Sequence, residues 1–320
     1  MIAAELLGDA ARSLGYVAAM LLFGGQLFML ALARPAWRAA GAGPGVMAAL
    51  DRALWGAALG ALTAAAVSLL LWLWSTAALL SDAPLDAALA PDLLGAVITE
   101  TSFGRVLVAR LVLLAILAGL LVGGGASRGR RAAAGLILAA AFLGSIMLTG
   151  HAYADAGGGR AWHMGADAIH LLAAGAWLGG LPFLLIVLRS AAPPGAGEWS
   201  ALAGALVPRY SRLGILSVAV LLTAGLVNAG FTLGSLAALT GSRYGTVLSI
   251  KLGVFIAMLA LAAYNRNELV PRIAGGASGQ AGAALRRLAA TSLIEIVLGL
   301  AVLADVGVLV STAPAAHGAP

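Results

Sequence analysis

The chain has 320 residues, of which 62% are hydrophobic and 10% charged, with a mean hydropathy of +1.00. A water-soluble domain of this length needs far more charge to cover its surface, so a soluble globular fold is excluded. The formal charge of +6 does not point to nucleic acid, because the basic residues sit in short clusters between apolar runs. With no Cys, disulfides, thiolate metal sites and dithiol redox chemistry are ruled out, and any soft-metal chemistry falls to His and Met.

Taken in chain order, the first residues carry Glu5 and Asp9 where a cleavable leader would be basic, so the first apolar run is expected to remain as an anchor. A membrane-spanning helix needs about 20 mostly apolar residues. Runs that qualify lie at about 12–33, 53–80, 106–124, 132–149, 166–188, 213–236, 247–264 and 288–311. Between them, segments 34–52, 125–131, 189–212 and 265–287 hold 13 of the 19 basic residues: Arg34, Arg38 and Arg52; Arg128, Arg130 and Arg131; Arg189, Arg209 and Arg212; and Arg266, Arg272, Arg286 and Arg287. The positive-inside rule puts these four segments in the cytoplasm. The expected fold is therefore an all-α membrane protein. It is a polytopic bundle of about eight transmembrane helices forming one domain over residues 1–320, with both termini outside.

Two stretches recur. Phe103-Gly104-x-Val106-Leu107-x-x-Arg110-Leu111 returns as Tyr244-Gly245-x-Val247-Leu248-x-x-Lys251-Leu252. Ala18-Ala19, Gly24-Gly25 and Phe28 return as Ala173-Ala174, Gly179-Gly180 and Phe183. Both matches imply a shift of four helices, which predicts two parallel repeats, 1–155 and 156–320, with a site near their interface.

Ionisable groups inside spans are costly and mark functional candidates. Met147 and His151 close the fourth span, and His163, Met164, Asp167 and His170 open the fifth. His163, Asp167 and His170 are spaced i, i+4, i+7, on one helix face, and the connection at 150–165 is short enough to make the two helix ends neighbours. Arg110, Asn228, Lys251 and Asp305 fall in the same outer layer, whereas Glu295 lies deeper. Arg110 and Lys251 are expected to pair with Asp167, Asp305 or Glu100, or to reach outward. Imidazole and thioether together suit copper better than the hard cations, and His with Asp alone would also serve zinc.

The run Gly150-His151-Ala152, followed by Asp167-Ala168-Ile169-His170-Leu171-Leu172-Ala173-Ala174-Gly175-Ala176-Trp177-Leu178-Gly179-Gly180-Leu181, resembles the CopD/PcoD family of copper resistance membrane proteins. Tyr210-Ser211-Arg212-Leu213-Gly214, Thr223-Ala224-Gly225-Leu226-Val227-Asn228, Tyr244-Gly245 through Lys251-Leu252, and Asn265-Arg266 fit the same resemblance. It runs from about residue 95 to 311, while the first 90 residues match in hydropathy alone. The resemblance implies a multi-pass protein of the bacterial inner membrane that handles copper, Cu(I) or Cu(II), with a separate periplasmic carrier of the CopC type. It also implies that His151 and His170, and less directly His163, hold the metal.

The expected function is copper homeostasis through an outward-facing His/Met site, with copper moved across the membrane. The sequence carries no nucleotide-binding loop, so ATP-driven pumping by this chain alone is not expected, and neither is enzymatic activity. Two other readings stand beside it: a b-type haem electron carrier, with His151 or His163 opposite His170, and a docking or assembly partner of a periplasmic copper protein that transports nothing.

Overall fold

The computed structural model describes residues 1–122, 129–149, 159–233, 235, 237–275 and 278–312. Among these residues there are helices and turns and no strand. Eight helices are long and apolar enough to cross a membrane: α1 (Ile2–Ala40), α2 (Pro44–Ser81), α3 (Ser102–Leu121), α4 (Gly129–Thr149), α5 (Arg160–Ala191), α6 (Gly197–Leu233), α7 (Arg243–Ala274) and α8 (Gln280–Val310). This is the eight-span, all-α bundle that the apolar runs predict.

The helices outlast those runs. Stretches 34–40, 44–52, 197–212 and 265–274, expected as loops, are helical. Backbone hydrogen bonding continues past the apolar stretch wherever no strong breaker stands in the way. The chain turns where one does. Gly41 takes φ 61°, Gly195 takes φ 79°, and Asp82 adopts the left-handed region at φ 51° as it closes α2.

Successive helices run antiparallel. Ser68 and Ser75 of α2 donate to the Ala11 and Ala4 carbonyls of α1 at 2.7 and 2.8 Å, in reverse order along the two chains. On the other side of the bundle, the Tyr210 hydroxyl of α6 donates to the Trp177 carbonyl of α5 at 2.5 Å. Arg12 Nε donates to the Gly307 carbonyl at 3.3 Å, which places the start of α1 beside the end of α8.

α1 and α5 form the centre. Their most apolar windows are 72% and 78% buried inside the protein, against 6–39% for the other six helices, which present apolar faces outward as lipid requires. The two central helices meet backbone to backbone. A Cβ built on Gly24 would lie 2.4 Å from the Gly179 carbonyl carbon, and one on Gly179 would lie 2.0 Å from the Met20 carbonyl oxygen. Lipid supplies no hydrophobic drive for helix association, so dispersion at such close approaches does the work. Just past the crossing both helices depart from regular geometry. α1 widens to a π-turn at Phe28–Ala33, and α5 breaks at Gly179-Gly180. Phe28 and Phe183 fill the space there with ring centroids 5.8 Å apart, and Tyr210 joins them at 6.3 Å from Phe28.

α3 and α7 start in the same way. Each follows a short helix, Pro91–Glu100 or Ala238–Gly241, and a hydroxyl at the junction accepts the N–H of a glycine three residues on: Thr101 from Gly104 and Ser242 from Gly245, both at 2.9 Å. These glycines touch the carbonyls of the short helix so closely that a Cβ would fall 2.3 Å from Val97 O or 2.0 Å from Ala238 O.

Replacing Gly179 by Val should therefore push α1 and α5 apart. A loss of at least about 1–3 kcal/mol, the usual cost of overpacking, is expected as a lowered unfolding midpoint in detergent. Gly60→Ala, where nothing lies within 4 Å of the new carbon, should leave the midpoint unchanged.

Candidate metal-binding layer

The spacing of His163, Asp167 and His170 does put them on one stripe of α5, and that stripe lies along α6. The buried His163 ring stacks on Phe231 with centroids 4.6 Å apart and planes 5° from parallel. One turn on, Asn228 Nδ2 donates to Asp167 Oδ1 at 3.5 Å. A further turn along, His170 rests against Gly225, whose missing side chain leaves room for the ring: a Cβ there would lie 3.5 Å from His170 Cε1.

Asp167 gathers charge from several helices. Lys251 of α7 and His163 lie within electrostatic reach of its carboxylate, as do the phenols of Tyr16 and Tyr244. Lys251 also feels Asp305 of α8 and His170. Of the acids it was expected to pair with, Lys251 thus lies within electrostatic reach of Asp167 and Asp305, and among the described residues no ion pair joins it to either. For Arg110 the expectation was wrong. Its guanidinium lies between two rings, 5.8 Å from Trp72 and 5.2 Å from Phe142, and among the described residues no carboxylate pairs with it. The faces of these two rings attract the cation where no acid does.

Met147 stands half-buried on the final 3₁₀ turn of α4, which packs against the start of α5, and Met164 is half-buried beside His163. His151 lies outside the described residues, as does His317. Among the described residues, no three His, Cys, Asp or Glu side chains come close enough together to hold one metal ion. His163 and His170 share one face of one helix, so as a pair they do not oppose each other across a haem iron.

Buried polar atoms without a partner cluster in this layer. Among the described residues, His170 Nδ1, Asn228 Oδ1, Asp305 Oδ2 and Arg110 Nε find no hydrogen-bond partner. Such atoms are rare in folded proteins, and several at one level mark a place where water or a ligand completes the bonding.

A second polar group lies deeper. Asn265 Nδ2 donates to Glu295 Oε1 at 3.4 Å, both side chains are buried, and Tyr210 is within electrostatic reach of the carboxylate. Ser292, one turn from Glu295, is buried with its hydroxyl unpartnered. Asn265 opens a π-turn in α7, an irregularity often found at functional sites. Glu295 was recognisable from sequence as a carboxylate in a span, but Asn265, Tyr16, Arg12 and Met258 were missed. For α7 the signal was available: Tyr244, Lys251, Met258 and Asn265 recur every seven residues, and that line faces inward on a helix otherwise mostly exposed.

Comparison with known proteins adds to the geometry. The model of the copper resistance protein D-like amino-terminal domain matches residues 3–162, and that of copper resistance protein D matches residues 204–309. The match thus reaches into the first 90 residues, while Asp167 and His170 lie between the two matched segments. Copper resistance protein D of Pseudomonas syringae pv. tomato is 32% identical over 178 residues, 54% of this chain and 57% of that protein. Copper transport protein CutJ of Bacillus subtilis (strain 168) is 35% identical over 101 residues, 30% of this chain and 17% of its own. Inner membrane protein YebZ of Escherichia coli (strain K12) is 33% identical over 124 residues, covering 39% and 41%. The chain therefore spans little more than half the length of the first of these relatives and less of the others. No solved structure matches. The two family matches together take in most of the sequence and all eight spans but the fifth, and the chain belongs to the copper resistance protein D family.

Proposed function

We propose that this chain takes up copper at one end of the bundle and passes it across the bacterial inner membrane. The observation that carries the reading is the layer where His163, Asp167 and His170 lie along α6 among buried polar atoms that lack partners. Imidazole nitrogen and, from Met147 and Met164, thioether sulfur are the donors copper prefers in a chain without Cys. His151 completes the set in this reading. The names of the relatives support it: one is a copper resistance protein, one a copper transport protein, and one an inner membrane protein.

The distribution of Lys and Arg supports an orientation in which this layer faces outward and both termini lie outside the cytoplasm. Copper would then arrive from a separate periplasmic carrier of the CopC type. Beyond the layer, Met258 offers the next soft donor. It is 1% exposed, seven residues from Lys251 and seven from Asn265 on the inward line of α7. Glu295 and Asn265 follow at the deeper level. A charged ion crossing apolar surroundings needs donors at each stage, because leaving water uncompensated is costly. The matching starts of α3 and α7 and the central pairing of α1 with α5 support two parallel repeats, 1–155 and 156–320, that enclose this path.

Three measurements test the proposal. Detergent-purified protein should bind Cu(I) stoichiometrically, and a His151/His163/His170 triple Ala variant should lose that binding while His317→Ala keeps it. Absence of copper from the wild type would refute the site, and a haem absorption band would move the function to electron transfer. Copper affinity should fall as pH drops through about 6.5, because protonated imidazole has no lone pair to give. An affinity unchanged between about pH 5 and 8 would leave Met alone as ligand. Met258→Leu conserves volume and removes the sulfur, so it should keep binding at the outer layer and cut uptake into proteoliposomes by about tenfold or more. Equal uptake would make Met258 a packing residue.

A further inference from the structure

Arg110 is the buried cation that the copper path does not use. It lies on α3 at 3% exposure, in the other half of the molecule from the His and Asp stripe. Arginine stays charged at any accessible pH, so its site must compensate a full positive charge. Two ring faces contribute to that, yet Nε is buried without a partner and no carboxylate answers it among the described residues. A second guanidinium makes the imbalance larger. Arg12 of α1 lies over the same Trp72 ring, also at 5.8 Å. Arg12 is itself balanced by Asp9 and the Gly307 carbonyl, so the surplus charge belongs to Arg110.

Beside the two guanidiniums lies a recess lined by Arg12, Tyr16, Ser68, Trp72, Arg110 and Thr149, with room for about one water-sized group. Arg12, Tyr16, Trp72 and Arg110 bring N–H or O–H donors to it, while the Ser68 and Thr149 hydroxyls donate to the Ala11 and Ile146 carbonyls. Apolar atoms of Gly15, Ile146 and Val310 complete the lining, and no carboxylate among the described residues lines it. The four-helix shift sharpens the point. It sets Arg110 opposite Lys251 and Arg12 opposite Asp167. Lys251 finds Asp167 and Asp305 close by, whereas the place corresponding to Asp167 holds a second cation.

We propose that this recess binds a small monatomic anion, of the size of chloride, between Arg110 and Arg12. A recess of this size excludes a phosphate or sulfate group, and the two guanidiniums beside it favour negative charge there. The bound anion supplies in one half of the bundle the negative charge that Asp167 supplies in the other. The proposal is independent of copper and stands whether or not the chain transports it.

The test uses the full chain in phosphatidylcholine nanodiscs, with chloride exchanged for methanesulfonate at constant ionic strength. Chloride and bromide should raise the unfolding midpoint by several degrees with saturation, since a ligand that binds only the folded state stabilises it by mass action. Phosphate should not. Arg110→Gln should abolish the response, and Arg110→Lys, which keeps the charge and loses the fork, should move half-saturation upward by about tenfold. Should Arg110→Gln fail to fold, bromide provides a second readout. It should quench part of the tryptophan emission saturably, chloride should reverse that, and Trp72→Phe should lack that component while keeping a ring for the cations. Identical midpoints in chloride and methanesulfonate would overturn the proposal, as would an equal chloride response in Arg110→Gln. So would an Arg110-dependent stabilisation seen only with phosphatidylglycerol, which would assign the site to a lipid phosphate.

Discussion

At the crossing of α1 and α5 the Gly24 and Gly179 backbones touch with no space for a side chain, and these two most buried helices form the centre against which the others pack. In lipid a helix gains nothing by hiding apolar surface from a solvent that is itself apolar, so association rests on how closely backbones approach and on the polar groups they shelter. Glycines at the crossing allow that approach. Phe28, Phe183 and Tyr210 fill the space immediately below it, and the Tyr210 hydroxyl ties α6 to the Trp177 carbonyl of α5. With α1 and α5 joined this way, their starts stand side by side at one end of the bundle. Arg12 and Tyr16 then lie at the level of Asp167.

The polar layer is a consequence of that register. Asp167 interacts electrostatically with Tyr16 of α1, His163 of its own helix, and Tyr244 and Lys251 of α7, and Lys251 reaches on to Asp305 of α8. Tyr16 also feels Arg110, so the same phenol borders both the aromatic-caged arginine and the carboxylate cluster. Charge inside a membrane protein is tolerated when neighbouring groups share it, and this layer does so in two ways. Lys251 sits among carboxylates, while Arg110 sits among ring faces.

The deeper group around Glu295 obeys a different logic. Asn265 can reach Glu295 because α7 widens to a π-turn there, which shifts the side chains on its C-terminal side around the helix axis. α1 carries the comparable irregularity at Phe28–Ala33, just past the crossing. Each departure from regular helix geometry lies at buried side chains, Phe28 in α1 and Asn265 in α7.

Hydropathy and the arrangement of Arg and Lys determined the class, the eight spans and their alternation, because a span must be apolar over about 20 residues wherever it packs. The i, i+4, i+7 spacing of His163, Asp167 and His170 likewise determined a shared face, since helical periodicity is local. That Lys251 comes within electrostatic reach of Asp167 and Asp305 accords with their matching depths in the seventh, fifth and eighth spans. What surrounds each group was left to the tertiary structure. Nothing local to Arg110 says that Trp72 and Phe142 enclose it, and nothing local to His163 says that Phe231 stacks on it. Those contacts depend on the rotation of each helix about its axis, which is set by packing between helices far apart in sequence. The ends of the helices were also decided above the level of hydropathy, because the backbone keeps its hydrogen bonds beyond the apolar stretch until Gly41, Asp82 or Gly195 turns the chain.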